Sequence, residues 1–278
     1  MIHEESAAPA GLAGIATRLW YLDAVPERRF EKILPMPFVH LIVDLSDGYR
    51  IHGPGGPIAV PHAFVSGLQS AWLVIEPPAR IRHVGVELTP AGLHAIAPTA
   101  AAANAGAVAD ARRVLGATTD ALVARLPTLP PTVAIDALAA ALLQARTRDP
   151  DPVVVEALAE LAADPDRTIA AIADGVGVSQ RTLIARFRAV TGTTPKQHAQ
   201  VLRFHRFVDR VHAAGASPDW AGLAVAGGYY DQPHVIRAFR RFSGWTPAEY
   251  LRLVAEHGPD AAHFVPLERL PDDPPLVE

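Results

Sequence analysis

The residues best suited to chemistry in this chain sit in two matching segments of its last third. In the first, Gln180, Arg181, Thr182, Ile184, Ala185 and Arg188 follow Ser179; in the second, Gln232, His234, Ile236, Arg237, Arg240 and Arg241 follow Asp231. Arg and Gln make bidentate hydrogen bonds to base edges, and Ile or Ala meets a thymine methyl, so the set suits the major groove of duplex DNA. The plainer alternative is two solvated faces of an ordinary helical bundle. Repetition argues against it. Ile169-x-x-Ile172-Ala173-x-x-x-Gly177-x-Ser179-x-x-x-Leu183-x-x-Arg186-Phe187 is matched by Leu223-Ala224-x-x-x-Gly228-Tyr229-x-Asp231-x-x-x-Val235-x-Arg237-x-Phe239, with the two glycines 51 residues apart.

Helical elements must hold these residues. A small alanine lets two helices cross closely, and Gly177 or Gly228 supplies the positive φ of a tight turn. Ser179 and Asp231 are N-caps, and Pro233 fits the first turn, where a missing N–H costs little. Leu183 with Phe187, and Val235 with Phe239, face inward at i and i+4. Each segment is thus a helix-turn-helix. Between them, Pro195 to Ala214 carries Val201, Leu202, Phe204, Val208 and Val211 at helical spacing. Twenty helical residues span about 30 Å, close to the ~34 Å turn of B-DNA, so this helix suits a spacer between readers in successive major grooves.

Around residues 165–253 the ordered motifs become specific. Gly192-x-x-Pro195 follows the first unit, Gly228-Tyr229-x-Asp231-Gln232-x-His234 lies in the second, and Phe242-Ser243-Gly244-Trp245-Thr246-Pro247-x-x-Tyr250 closes the segment. This region resembles the AraC/XylS family of bacterial transcription regulators. Pro233 stands where that family often has serine, Val235 where it often has phenylalanine, and Ala185 where some members carry a base-reading arginine. The resemblance implies a cytoplasmic, sequence-specific regulator that binds double-stranded operator DNA and has a variable N-terminal sensor. It also implies a homodimer, contact with RNA polymerase and activator-type control, although activation and repression are not separable from these residues.

The first half reads differently. Runs at 39–45, 49–52, 63–65, 71–75 and 81–88 are β-branched or alternating and end at Gly, Pro, Ser or Asp. Strands this closely spaced predict a small antiparallel β-barrel or sandwich. Ile33-Leu34-Pro35 and Phe64-Val65-Ser66-Gly67-Leu68-Gln69 resemble segments of the cupin-like sensors that accompany such DNA-binding modules. Thr118–Leu126 and Thr132–Arg146 have helical periodicity, the latter fitting either a dimer seam or interdomain core. The expected fold is α+β and multidomain: residues 1–115 a cupin-like β-barrel with helices, 116–148 a helical linker and dimerisation segment, 149–256 an all-α double helix-turn-helix, and 257–278 an acidic, proline-rich tail. Asp149-Pro150-Asp151-Pro152 is the expected hinge, and Pro271-Asp272-Asp273-Pro274-Pro275 reads as disordered.

Within the barrel, Trp20, Tyr21, Phe64 and Trp72 are the candidate lining of an effector pocket, with aromatic core as the alternative for each. They point to a small organic effector. The histidines His40, His52, His62 and His83 lack the clustered His and Glu spacing of a metal site, so neither metal nor cofactor is expected. A cupin-type metalloenzyme with an appended DNA-binding domain is the alternative reading. Asp44 with Asp47 reads as turn chemistry rather than a catalytic pair, and Gly53-Pro54-Gly55-Gly56 lacks the Lys-Ser/Thr of a phosphate cradle, so no catalytic residue is assigned and the chain is not read as an enzyme.

Charge agrees with the split. The 278 residues carry a net −4. Residues 1–165 hold 12 Lys and Arg against 17 Asp and Glu, a net of −5; residues 166–256 hold 12 against 7, a net of +5; the tail from His257 is net −4. A basic block between acidic ones suits a polyanion-binding module. The absence of cysteine excludes disulfides, thiolate zinc and a methyl-accepting DNA-repair regulator, and is compatible with a reducing compartment. The acidic Met1-Ile2-His3-Glu4-Glu5 does not read as a signal peptide, and no apolar run is long enough for a membrane span.

Overall fold

In the computed structural model, which describes residues 1–213, 222, 232–257 and 263–271, the chain folds into layers. The N-terminal half holds two antiparallel sheets. The larger comprises β1 (Ile2–Ala7), β2 (Ala16–Ala24), β4 (Val39–Asp44), β7 (Ala63–Ser66), β9 (Ile81–Leu88) and β10 (Val108–Asp110), in the order β1-β2-β9-β4-β7-β10. The smaller comprises β3 (Phe30–Ile33), β5 (Arg50–Gly53), β6 (Gly56–Ala59), β8 (Leu73–Glu76) and β11 (Phe264–Leu267), in the order β11-β3-β8-β5-β6. No ladder among the described residues joins one sheet to the other.

The period-two alternation of each strand decides what each sheet face meets. On the large sheet, Leu19, Tyr21, Leu41, Val43, Val65, Val84 and Val86 belong to one buried core together with Leu93, Ile96, Val114, Leu122, Ile135, Leu138 and Leu142. Those partners come from α1 (Gly92–Ile96), α3 (Arg112–Leu115), α4 (Thr118–Arg125) and α5 (Pro131–Ala145). The apolar stripe of α5 is therefore spent on its own sheet, while Val133 and Leu143 stay exposed. On the small sheet, Phe30, Val74 and Val265 pack with Val201, Phe204, Phe207, Val208, Phe239, Phe242 and Tyr250. These come from α9 (Pro195–Ala213), α10 (Gln232–Ser243) and α11 (Pro247–His257). One sheet is thus backed by the N-terminal helices and the other by the C-terminal ones.

The first helical unit also follows from local chemistry. Asp151 caps α6 (Pro152–Ala163) through the N–H groups of Val153 and Val154, and its carboxylate also holds the Arg186 guanidinium at 2.8–3.1 Å. Thr168 caps α7 (Ile169–Gly175), Gly177 turns the chain at φ +71°, and Ser179 caps α8 (Gln180–Thr191) by accepting from the Thr182 N–H. Leu183 and Phe187 are buried, as their spacing requires. The first helix of the second unit, with Leu223, Ala224, Gly228 and Asp231, lies outside the described residues, as does Asp272 to Pro275 of the tail.

The tail differs from expectation over residues 264–267. Phe264–Leu267 returns to the N-terminal half and pairs antiparallel with β3, Phe264 opposite Ile33 and Leu267 opposite Phe30. Its short apolar run is a strand signal hidden between acidic and proline-rich neighbours, and Pro266 is tolerated because β11 is an edge strand.

The C-terminal end of α8 docks on α2 (Pro98–Ala103) and the loop after it. Gly192 ends α8 in the left-handed region, φ +76°, and a Cβ there would lie 2.5 Å from the Ala105 Cβ and 3.1 Å from the Ala102 carbonyl oxygen. Gly192→Ala should therefore lower unfolding stability by about 1–3 kcal/mol in urea denaturation of the full chain. A variant as stable as the parent would show that this close approach contributes nothing.

Candidate functional site

The expected DNA-reading residues of the first unit lie where a groove can reach them. Gln180, Arg181, Thr182, Ala185 and Arg188 are exposed and Ile184 is half-buried, on the side of α8 away from Leu183, Phe187 and Val190. Among the described residues no carboxylate pairs with Arg181 or Arg188, so both are available to a phosphate or a base. On α10, Arg237, Arg240 and Arg241 are exposed and Ile236 is half-buried, opposite buried Val235, Phe239 and Phe242. Arg241 reaches the Gln200 side chain at 3.4 Å. The side chains of Gln232 and His234 lie outside the described set.

A second site lies between the sheets. Their inward faces enclose a cavity of about 590 Å³, with Trp20, His40, Ile42, Phe64 and His83 on one wall and Glu31, Ile33, Ile51, Leu73 and Ile75 on the other. Phe38 and Tyr49 line it too, and its mouth is bordered by His205 and Asp209 of α9 and by His263 and Phe264. Of the four aromatic residues singled out from sequence, the cavity takes Trp20 and Phe64. Tyr21 follows Trp20 on the strand, so it points the opposite way, into the helix-backed core. Trp72 belongs to the core beneath the C-terminal helices. Both are corrected as lining residues. Glu31, His40, Tyr49 and His83 were missed as cavity residues; the alternation of β3, β4 and β9 was the available signal.

The walls are finely arranged. Gly85 lies opposite Trp20 in the ladder, and a Cβ there would sit 2.2 Å from the indole; the glycine makes room for the ring against the sheet. The Trp20 indole N–H donates to His83 Nε2 at 2.9 Å. His83 Nε2 is then an acceptor, so its proton sits on Nδ1 and is donated to the Tyr49 hydroxyl at 3.0 Å. The Tyr49 proton stays available inside the cavity. Burial pushes His83 down to about 4 and His40 down to about 3, so both rings are neutral at neutral pH. Among the described residues His40 Nε2 has no hydrogen-bond partner.

The other two histidines face elsewhere: His52 bonds Glu76 at 3.0 Å, and His62 pairs with Asp44 at 3.3 Å. Among the described residues no three His, Cys, Asp or Glu side chains come together to hold a metal.

Behind the small sheet, the residue next to Glu31 does something unusual. Lys32 is 2% exposed, its ammonium 3.8 Å from the Trp72 ring centre and 3.6 Å from that of Trp245, and it donates to the Ser243 carbonyl at 2.9 Å. Burial lowers its ammonium to about 7. At the cavity mouth, His205 of α9 bonds the Pro35 carbonyl oxygen at 2.8 Å and stacks on His263 with ring centres 4.2 Å apart. The cavity wall and the second helical unit are therefore two faces of one sheet.

Comparison with known proteins places these parts. Residues 172–253 match the family model described as "Helix-turn-helix domain", and residues 4–110 match a domain of unknown function, DUF6597. AraC-like transcription regulators of Streptomyces lividans and Streptomyces antibioticus are each 35% identical over 102 residues, covering 36% of this chain. The chain spans about a third, 33%, of the length of these curated relatives. An AraC-type DNA-binding domain structure from Chromobacterium violaceum is 28% identical, covers 38% of this chain and 96% of that one, and has a TM-score of 0.35. An apo ToxT variant from Vibrio cholerae is 8% identical, covers 89% of this chain and 99% of that one, and has a TM-score of 0.47. Residues 172–253 are a helix-turn-helix domain. No helix among the described residues is long and apolar enough to cross a membrane.

The cavity acid yields a test of its own. Burial, with a contribution from Glu27, raises the Glu31 carboxyl to about 7. The folded protein then keeps a proton that the unfolded chain releases near its ordinary value, so this group's stabilisation is present at low pH and is lost as pH rises through 7. Relative to the parent, Glu31→Gln should gain stability between about pH 4.5 and 7, by up to about 3 kcal/mol, and hold that gain above. Parallel thermal melts across this range would show it; a pH-independent difference would place Glu31 in contact with water.

Proposed function

We propose, on the premise of an AraC-type helix-turn-helix domain docked against a ligand-sized cavity, that this chain is a DNA-binding transcription regulator controlled by a small organic effector. The observation that carries the reading is the pair of exposed arginine-bearing helices, α8 and α10, each with its buried face turned into the protein and its basic face outward. Gln180, Arg181, Thr182, Ile184, Ala185 and Arg188 from one unit, and Gln232, His234, Ile236, Arg237, Arg240 and Arg241 from the other, are the proposed groove contacts. Residues 149–256 are the proposed DNA-binding unit and the sheet-bearing half the effector unit.

The cavity supports effector control because its wall belongs to both halves. A ligand that presses on the small sheet presses on the surface where α9, α10 and α11 pack. It also meets α9 directly at His205 and Asp209, and α9 leads from the first unit toward the second. A coupling of about 1–3 kcal/mol would change operator affinity roughly 5–150-fold. Paired half-sites bound by a homodimer, contact with RNA polymerase, and a cytoplasmic location complete the proposal; exposed Val133 on α5 supports a seam there.

The test selects DNA sites with the full chain and measures affinity against salt. Binding should fall steeply as salt rises, because Lys and Arg release counterions from phosphates. Arg181→Ala and Arg237→Ala should each cost about 1–3 kcal/mol on the selected site and relax preference at one position. Uniform weakening on every sequence would reduce both to phosphate contacts, and no selected sequence would end the regulator reading.

A further inference from the structure

The cavity's charge balance is unusual for an apolar site. Three Arg, Asp or Glu side chains are on its lining: Arg18, Glu31 and Asp209. Arg18 is already engaged, by Glu87 at 3.0 Å and by Glu5 at 3.1 Å. The cavity histidines His40 and His83 are neutral by burial. The nearest lysine in sequence, Lys32, points out of the opposite face of β3 and is sealed between two indoles. Glu31, in contrast, has no hydrogen-bond or ion-pair partner among the described residues. Glu31 and Tyr49 line the same cavity.

A carboxyl held in an apolar wall without a partner is costly, and two arrangements relieve the cost: protonation, or an incoming cation. The surroundings favour the cation. Trp20, Phe38, Tyr49 and Phe64 line the same cavity, and ring faces attract a cationic nitrogen within about 6 Å of their centres. The Tyr49 hydroxyl and the unpaired His40 nitrogen add polar points for the rest of the molecule. Among the described residues an anionic ligand would find no unengaged Lys or Arg on the lining and would face Glu31.

We propose that the cavity binds a hydrophobic organic cation, an amine on an aromatic or alicyclic body, with its nitrogen on the Glu31 carboxylate and its body among Trp20, Tyr49 and Phe64. This rests on the reading of the cavity as the effector site and names the ligand class for it. The recognition is reversible ion pairing, with no covalent step.

Three probes of matched shape test it on the full chain: 1-naphthylmethylamine, 1-naphthylmethanol and 1-naphthoic acid, measured by calorimetric titration at neutral pH. The amine should bind at least tenfold tighter than the alcohol, and the acid weakest. Glu31→Gln should erase the amine's advantage and leave alcohol binding unchanged, while Ile75→Trp, which fills the cavity, should weaken both. The comparison among probes on the parent protein stands even if a variant misfolds. Equal binding of amine and alcohol, tightest binding of the acid, an amine preference that survives Glu31→Gln, or no binding by any probe up to ~1 mM would each overturn the proposal. Operator affinity measured with each probe separates the two claims. An amine that binds through Glu31 without changing DNA affinity keeps the ligand class and removes the effector role. Control of DNA binding by a neutral or acidic molecule does the reverse.

Discussion

Lys32 is the point on which the arrangement of the halves depends. A buried ammonium costs several kcal/mol unless its protons and charge are satisfied. Here satisfaction needs groups far apart in sequence: Trp72 from the N-terminal half, the carbonyl of Ser243 at the end of α10, and Trp245 from the loop between α10 and α11. Gly244 sits in that loop at φ +77°, and a Cβ there would lie 2.9 Å from the Trp72 indole nitrogen and 3.1 Å from the Lys32 ammonium. Neither half alone holds the whole cage. Separating them would return the Lys32 ammonium to water, so the cage supplies direction more than strength: the halves meet in the register that brings both indoles and the Ser243 carbonyl onto Lys32.

From that anchor the rest follows through strand geometry. In β3 the side chains of Phe30 and Lys32 go one way and those of Glu31 and Ile33 the other. Neighbouring β8 repeats the pattern, Val74 outward and Leu73 and Ile75 inward. A strand cannot move one row of side chains without the other, because they share a backbone. The anchor of the second helical unit and the acid of the cavity are consecutive residues. β11 extends the same sheet from the far side of α11 and adds Phe264 to the cavity and Val265 to the interface.

Much of this was legible in the sequence. The doubled helix-turn-helix pattern placed the Ser179 cap, the turn at Gly177 and the inward pair Leu183 and Phe187, all local features that propensity and spacing report; the Thr168 cap was not read. The strands at 39–45, 63–65 and 81–88 showed their β-branched runs. Strands β1, β3 and β11 were harder, since each is short and charged or proline-bearing, and owes its existence to a neighbour in the ladder. The cavity failed partly for another reason. Tyr21 and Trp72 look like Trp20 and Phe64 in composition; only the register of the ladders tells which aromatic points in. Lys32 and Glu31 read as ordinary surface charges of an alternating strand, because nothing in one sequence says that both faces of that strand are covered.

Where the two proposed reading helices sit is then a property of the N-terminal half. The first unit meets it through Gly192 against Ala102 and Ala105, after α2. The second meets it through the Lys32 cage and the outer face of the small sheet. α9 joins the first unit to the second core and touches the cavity mouth. Two readers bound to one body at two places have a fixed separation only while that body keeps its shape. DNA with fixed groove spacing is sensitive to such separation. On the proposed function, a ligand inside the body would favour or oppose DNA binding without touching either helix, to the extent that it binds the DNA-competent shape better than the other. The small sheet, rather than the hinge at residues 149–152, is the element placed to carry that difference, because it presents one face to the cavity and the other to α9, α10 and α11.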